Sequence, residues 1–237
     1  MIQYYIVIFK RKVFMGKRNS TWVSPKKQKI IDEQNRRAFR RKLILAIVGG
    51  VVLAALLALG IFGIVMASRP YYAYIEIDGY GTIVIELNDS EAPKTVDAFV
   101  ELAESGHYNG TSIHTAMKNS YMMGGKRDGV TVDPIKGEFA KNGVDNSLSI
   151  FRGTIVMARV VGTDASDSSN FDKATGEFFI VQRDKPEWDG YYAAFGTVVE
   201  GMEIVDAICD NVSADEDGDI IGEQPIIVSI RIEREYK

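Results

Sequence analysis

The chain has 237 residues, 46% of them hydrophobic and 25% charged, with a formal net charge of −4. A single cysteine, Cys209, excludes an intrachain disulfide framework, and two histidines, His107 and His114, with no cysteine partner argue against a structural zinc site. The small net charge conceals two oppositely charged parts, which excludes reading the chain as one uniform body.

Residues 1–42 hold 13 Lys or Arg against Asp32 and Glu33, a net of +11. This arm is read as a topology signal in contact with anionic lipid, in preference to a nucleic-acid-binding tail. Met15 opens a second plausible start, so nothing is built on the apolar run Ile2 to Phe9. Leu43 to Ala67 then runs for 25 residues with no charged side chain. As a helix it extends roughly 37 Å, enough to cross a hydrocarbon core of about 30 Å. Val65-Met66-Ala67 resembles the small-x-small pattern before a signal cleavage site, but a signal core is about 7–15 residues, so an uncleaved transmembrane anchor is the preferred reading.

Beyond Arg69, residues 71–237 hold 14 Lys or Arg against 30 Asp or Glu, a net of −16. Basic residues flanking a span stay on the cytoplasmic side. The expected arrangement is a single-pass protein of the cell membrane, with its N-terminus cytoplasmic and its acidic C-terminal portion extracytoplasmic. The divisions are an arm at 1–42, a transmembrane helix at 43–67, a linker at 68–72 and a globular domain at 73–236.

Within that domain Ala73, Ile75 and Ile77, then Ile83, Ile85 and Leu87, alternate with other residues around Asp78-Gly79-Tyr80-Gly81. Two strands joined by a tight turn follow. Ser90 is expected to cap a helix with Pro93 in its first turn; Val96, Phe99, Val100 and Ala103 form its apolar stripe, and Gly106 ends it. Apolar runs at 154–158, 178–181, 193–199 and 226–232 predict further strands, and 202–210 a second helix in which Cys209 packs as a buried thiol. The acidic segment 214–219 lacks the glycine and glutamate of a calcium loop and is read as a solvated turn. Asn88, Asn109 and Asn211 begin sequons, which matter only in a glycosylating pathway.

The ordered motifs GTIVIELNDSEAPKTVDAFVELAESGHYNGT from Gly81, Ile113-His114, MMGG at 122–125, RGTIVMAR at 152–159, GEFFIV at 176–181 and FGTVVEGMEIVD at 195–206 resemble the cyclophilin family of peptidyl-prolyl cis-trans isomerases. The resemblance covers the outer domain and none of residues 1–70. It implies a mainly β fold, a closed eight-stranded antiparallel barrel capped by two helices and here preceded by one transmembrane helix. It also implies rotation of X-Pro amides, whose barrier is about 18–20 kcal/mol, with no cofactor, no metal and no covalent intermediate. Proline-containing polypeptides are the expected partners besides the lipid bilayer around residues 43–67, and the protein is expected to be a monomer.

In the family an arginine after a phenylalanine-histidine pair donates to the amide nitrogen as it loses conjugation. Here the triplet is Ile113-His114-Thr115, so Thr115 takes the arginine's place and offers one neutral hydroxyl. Losing a charged hydrogen bond of about 1.5–3 kcal/mol lowers the rate on the order of 10- to 150-fold. Ser120 falls where the family has a pocket phenylalanine, Met123 and Glu177 where it has glutamines, and Tyr192 where many members have histidine. Tyr121, Phe179 and Trp188 align with pocket-lining positions and Ala158 with the edge meeting the peptide backbone. Glu187 takes the place of the family's tryptophan. His114 also reads as a structural imidazole, and Phe178 as a core residue.

The segment 160–175, VVGTDASDSSNFDKAT, is longer than the family commonly has there and reads as a surface loop beside the groove. Arg159, just before it, is the nearest candidate for a substitute cation, with a salt bridge to a local carboxylate as the alternative. The resulting expectation is a membrane-anchored isomerase with weakened catalysis. Its alternatives are a proline-peptide-binding chaperone or scaffold module without catalysis, and a structural barrel with no ligand.

Overall fold

In a computed structural model the chain is described over residues 23–67, 70–160 and 166–236. The first part of the basic arm, the alternative start at Met15, residues 68–69 of the expected linker and residues 161–165 of the long loop lie outside these. The chain divides into two units, one ending at Ala67 and one beginning at Ser68.

The first unit contains one continuous helix, α1, Pro25–Ala67. Its stretch Pro25–Gly60 is long and apolar enough to cross a membrane, and its most apolar part is not buried by the protein. The basic segment before Leu43 continues the same helix, which the charge pattern alone did not suggest. Glu33 and Arg37, one turn apart, meet at 2.8 Å on its surface.

The second unit is an eight-stranded antiparallel sheet with two helices, α2 (Pro93–Glu104) and α3 (Met202–Asn211). Its strands are β1 (Tyr71–Ile77), β2 (Gly81–Leu87), β3 (Ser112–Met117), β4 (Tyr121–Lys126), β5 (Thr154–Arg159), β6 (Ala174–Val181), β7 (Ala193–Glu200) and β8 (Ile227–Glu233). They lie in the order β3-β4-β6-β5-β7-β2-β1-β8.

The expected closed barrel is not formed. The sheet is a strongly curled open half-barrel whose edges lie 6 Å apart. A single bridge between Ser112 and Ile226 stands where a β3–β8 ladder would be. Pro225 accepts from the Ile113 N–H at 2.8 Å but has no N–H to return, so the ladder cannot propagate there. Further along β3 the edge is taken by the acidic segment. Ala116 N–H donates to Gly218 O at 2.8 Å and Ile220 N–H to His114 O at 2.9 Å, which covers strand groups that would otherwise be unpaired. Gly218 and Ile220 are therefore buried, and the segment read as a solvated turn is in part an edge cover.

The expected cap of α2 also differs. Ser90 Oγ donates to Asn88 Oδ1 at 2.7 Å, and the capping position is Ala92, whose side chain offers no acceptor. The first-turn N–H groups are met by Glu138, 43 residues away from Thr95, which accepts from Thr95 N and Thr95 Oγ1 at 2.8 Å each. A carboxylate at a helix N-terminus is favoured by the helix dipole, which accounts for Glu138 being only 3% exposed.

Inside the curl, Phe99 of α2 packs against Phe178 at 5.6 Å and Phe195 at 5.2 Å, joined by Ile204, Val205, Ile208 and Cys209 of α3. Burial pushes the Cys209 thiol up to about 12, helped by Asp210 and Asp206, so it is held as an inert thiol. A smaller buried cluster of Ile150, Val156, Phe179, Val181 and Ala194 lies apart from this core.

Candidate functional site

Strand alternation separates the two adjacent phenylalanines of β6. Phe178 faces inward against Phe99 and Tyr108, with ring centroids 5.6 and 5.5 Å away. Phe179 faces the opposite side, between Met123 of β4 and Val156 of β5 in the register. There it forms part of a cleft of about 320 Å³ lined by Tyr121, Met123, Ala158, Arg159, Phe179, Trp188 and Tyr192. The rings around Phe179 are set edge-on or tilted: Tyr121 at 5.3 Å, Trp188 at 5.7 Å and Tyr192 at 5.7 Å.

Each wall is positioned by local bonds. Trp188 closes a short 3₁₀ turn, Pro186–Trp188, pinned where Lys185 N–H donates to Ile150 O at 2.8 Å and Ile150 N–H to Asp189 Oδ1 at 2.7 Å. Tyr192 immediately precedes β7. Burial raises the phenol pKa values of Tyr121 and Tyr192, keeping both neutral at ordinary pH.

Ala158 and Arg159 are consecutive, yet both line the cleft. A register shift lies between Met157 and Arg159; Ala158 packs on the smaller cluster around Phe179, and the Arg159 guanidinium reaches the Phe139 and Phe171 rings of the main core. The Arg159 guanidinium lies 4.8 Å from the Tyr192 ring, 5.2 Å from Phe171 and 5.6 Å from Phe139, and its Nε–H donates to Tyr191 O at 3.1 Å. Phe171 anchors the described end of the long loop in the main core, so this loop is not wholly a surface feature.

The β3 residues singled out from the sequence are not in the cleft. Ile113 is fully buried in the interior core. Thr115 is 3% exposed; its hydroxyl donates to Asp219 Oδ1 at 3.3 Å and lies 2.9 Å from His114 Nδ1. His114 Nε2 is 3.2 Å from Glu177 Oε2, close enough for an ion pair but outside hydrogen-bond geometry. Ser120 is buried at the end of the β3–β4 turn, where its carbonyl accepts from Gln182 N–H at 2.7 Å. Of the eleven site residues expected, Tyr121, Met123, Ala158, Phe179, Trp188 and Tyr192 come together around the cleft, whereas Ile113, His114, Thr115, Ser120 and Glu177 lie outside its lining. Asp219, 104 residues from Thr115, was not foreseen as its partner, and nothing local in an acidic turn marks which strand it will meet.

Among the described residues no group of three or more His, Cys, Asp or Glu side chains could hold a metal ion. What the cleft offers is an aromatic receptacle for a flat apolar ring, with one cation on its wall.

The family described as Cyclophilin type peptidyl-prolyl cis-trans isomerase/CLD matches residues 72–233, and the chain belongs to that family. A peptidyl-prolyl cis-trans isomerase of Acinetobacter baylyi is 36% identical over 165 residues, covering 64% of this chain and 80% of that relative. Peptidyl-prolyl cis-trans isomerase B of Escherichia coli is 35% identical over 169 residues, covering 65% of this chain and 94% of that protein. A crystal structure of a cyclophilin type isomerase from Cryptosporidium parvum, obtained in the presence of the dipeptide Ala-Pro, superposes with a TM-score of 0.57 at 25% identity, covering 68% of this chain and 98% of that chain.

Proposed function

We propose that this protein is a membrane-anchored, cyclophilin-type peptidyl-prolyl isomerase that binds extracytoplasmic or unfolded polypeptides at proline and turns the X-Pro bond slowly. The observation that carries the reading is the cleft around Phe179, in a chain of this family. Burying a proline ring against Phe179, Tyr121 and Trp188 is driven by apolar area, at about 25 cal/mol per Å². That contribution does not depend on Thr115.

Slow catalysis follows from the β3 side. Thr115 is 3% exposed and its hydroxyl is already in contact with Asp219 and His114, so it is poorly placed to donate to an amide nitrogen in the cleft. Arg159 does not replace the missing cation in kind. Thr115 on β3 and Val156 on β5 are three strand spacings apart through Met123 and Phe179, about 14 Å along the sheet, so Arg159, further along β5, does not stand in the place of Thr115. The same burial of Thr115 favours a second reading, a proline-peptide-binding chaperone or scaffold module with no catalysis.

Anchoring through residues 43–67 rests on the helix length and its lack of charge, and the inside position of the N-terminus on the basic arm. The deciding experiment is isomerisation of an X-Pro tetrapeptide by the full chain in detergent micelles. A measurable rate 10- to 150-fold below that of arginine-containing relatives is expected. No acceleration, with peptide binding retained, selects the module reading. Protease added to spheroplasts is expected to digest the C-terminal domain and spare the arm; the reverse pattern overturns the orientation.

A further inference from the structure

We infer that the Tyr121 hydroxyl is the catalytic hydrogen-bond donor of this cleft, donating to the prolyl amide nitrogen as the X-Pro bond turns. This rests on the isomerase reading above and supplies the donor which that reading leaves unassigned. Four side chains lining the cleft carry an N–H or O–H: Tyr121, Arg159, Trp188 and Tyr192. Arg159 is buried against Phe139, Phe171 and Tyr192, and its Nε–H donates to the Tyr191 carbonyl. The two phenols differ from it. Both are partly exposed, and among the described residues neither hydroxyl has a hydrogen-bond partner, nor is either shut away from solvent.

Position separates the remaining donors. The strands run β3-β4-β6-β5-β7, so Tyr121 on β4 is one strand from β3, whereas Tyr192, just before β7, is four strands away. Trp188 stands on the 3₁₀ turn between β6 and β7, under Lys185 Nζ at 5.4 Å. Tyr121 is paired with Met117 of β3 on one side and Val181 of β6 on the other, and its ring leans on the pocket floor, Phe179, at 5.3 Å. Burial raises the phenol pKa most, and Tyr192 and Asp219 raise it further. The hydroxyl therefore keeps its proton at neutral pH, and it stands between the pocket floor and Asp219, the carboxylate that Thr115 meets. A donor missing from β3 is resupplied from the next strand.

The chemistry suits a neutral donor. In the planar amide the nitrogen lone pair is delocalised and accepts poorly; as the bond twists the pair localises and an O–H can donate to it. No proton is transferred and no covalent bond breaks. A hydrogen bond made only in the transition state raises kcat and leaves KM alone. A phenol is also a weaker donor than a guanidinium, in keeping with a slow rate.

The test uses the full chain in detergent micelles and a blocked Ala-Ala-Pro-Ala peptide, with kcat and KM measured separately. Tyr121→Phe keeps the ring that packs on Phe179 and removes only the hydroxyl. Its kcat is expected to fall about two- to tenfold, with KM within about twofold of the parent and the denaturant melt unchanged. A second readout is one that packing alone would not move. Placing 3-fluorotyrosine at position 121 makes the phenol more acidic, so the alkaline fall in kcat, which burial holds above pH 10.0 in the parent, is expected to move to lower pH. Unchanged kcat in a folded Tyr121→Phe protein overturns the inference and leaves the isomerase reading standing. So does a rise in KM alone, which would make the hydroxyl a ground-state contact, or a rate loss confined to Tyr192→Phe or Trp188→Phe. If Tyr121→Phe does not fold, the fluorinated protein decides by itself, and an unshifted pH profile overturns the inference. A parent chain that does not turn the peptide overturns the isomerase reading and this inference with it.

Discussion

The β6 side of the outer sheet face and its β3 side differ in what their side chains face. Phe179 meets three aromatic rings at 5.3 to 5.7 Å around an open cleft. Two strands away, His114 and Thr115 meet Glu177 and Asp219, which turn them toward the protein itself. Apolar recognition and polar chemistry in such a site can therefore be lost or kept independently. Ring burial is an area effect that many side chains can supply, whereas a proton donor must present one group at one point.

The largest expected effect separates the two faces of β6. Phe178→Ala removes a ring that is 1% exposed in the main core and should destabilise the protein by about 3–5 kcal/mol in denaturant melts. Phe179→Ala should destabilise it less and weaken proline-peptide binding more than any other single change in the cleft. A folded Phe179→Ala protein with unchanged peptide affinity would remove the aromatic wall from the function altogether.

Next in size is Thr115→Arg. Gly218 lies so close that a Cβ there would be 3.2 Å from Thr115 Cγ2, so a larger side chain must displace the edge segment. We expect a loss of about 1–3 kcal/mol in stability and only partial recovery of isomerisation, because Met123 does not orient the new guanidinium. A variant that melts like the parent and gains the full 10- to 150-fold would show that the β3 side is open after all.

Asp219→Ala tests the same wall more gently. It removes the acceptor of the Thr115 hydroxyl and should cost about 0.5–1.5 kcal/mol, with peptide affinity unchanged. The smallest expected effect is none. Burial raises the phenols of Tyr121 and Tyr192 above their ordinary 10.0, so the aromatic wall is not ionised between pH 7 and 10 and peptide affinity should be flat there. Above pH 10 the unfolded chain ionises these phenols first; stability is fully present below that pH and falls as it is passed. A titration step in affinity near pH 9 would show that a phenol is less shielded than its burial indicates.

Much was legible in the sequence because it is local. Alternation gave β1 and β2, and apolar runs gave β5, β7 and β8, within two residues of their ends, and the apolar stripe gave Val96, Phe99 and Ala103 as the buried side of α2. The 178–181 run caught only the second half of β6, whose first half contains Thr175, Gly176 and Glu177. Strands β3 and β4 carry no clear period. In β4, Gly124 replaces a side chain because a Cβ there would lie 2.7 Å from Ser112 O, a requirement set by the neighbouring strand.

By itself the sequence determined the apolar span, the opposite charge of the two parts, the family motifs and the aromatic positions of the cleft. Those depend on composition and on residues near one another in the chain. Tertiary structure alone decided that Glu138 caps α2 in place of Ser90, that Asp219 meets the Thr115 hydroxyl, that Arg159 bonds the Tyr191 carbonyl, and that the sheet stays open at Pro225. Each of these turns on a partner 32 to 112 residues distant, as between Tyr191 and Arg159 or Ile113 and Pro225, and which buried polar group finds which partner is set only when the strands have paired.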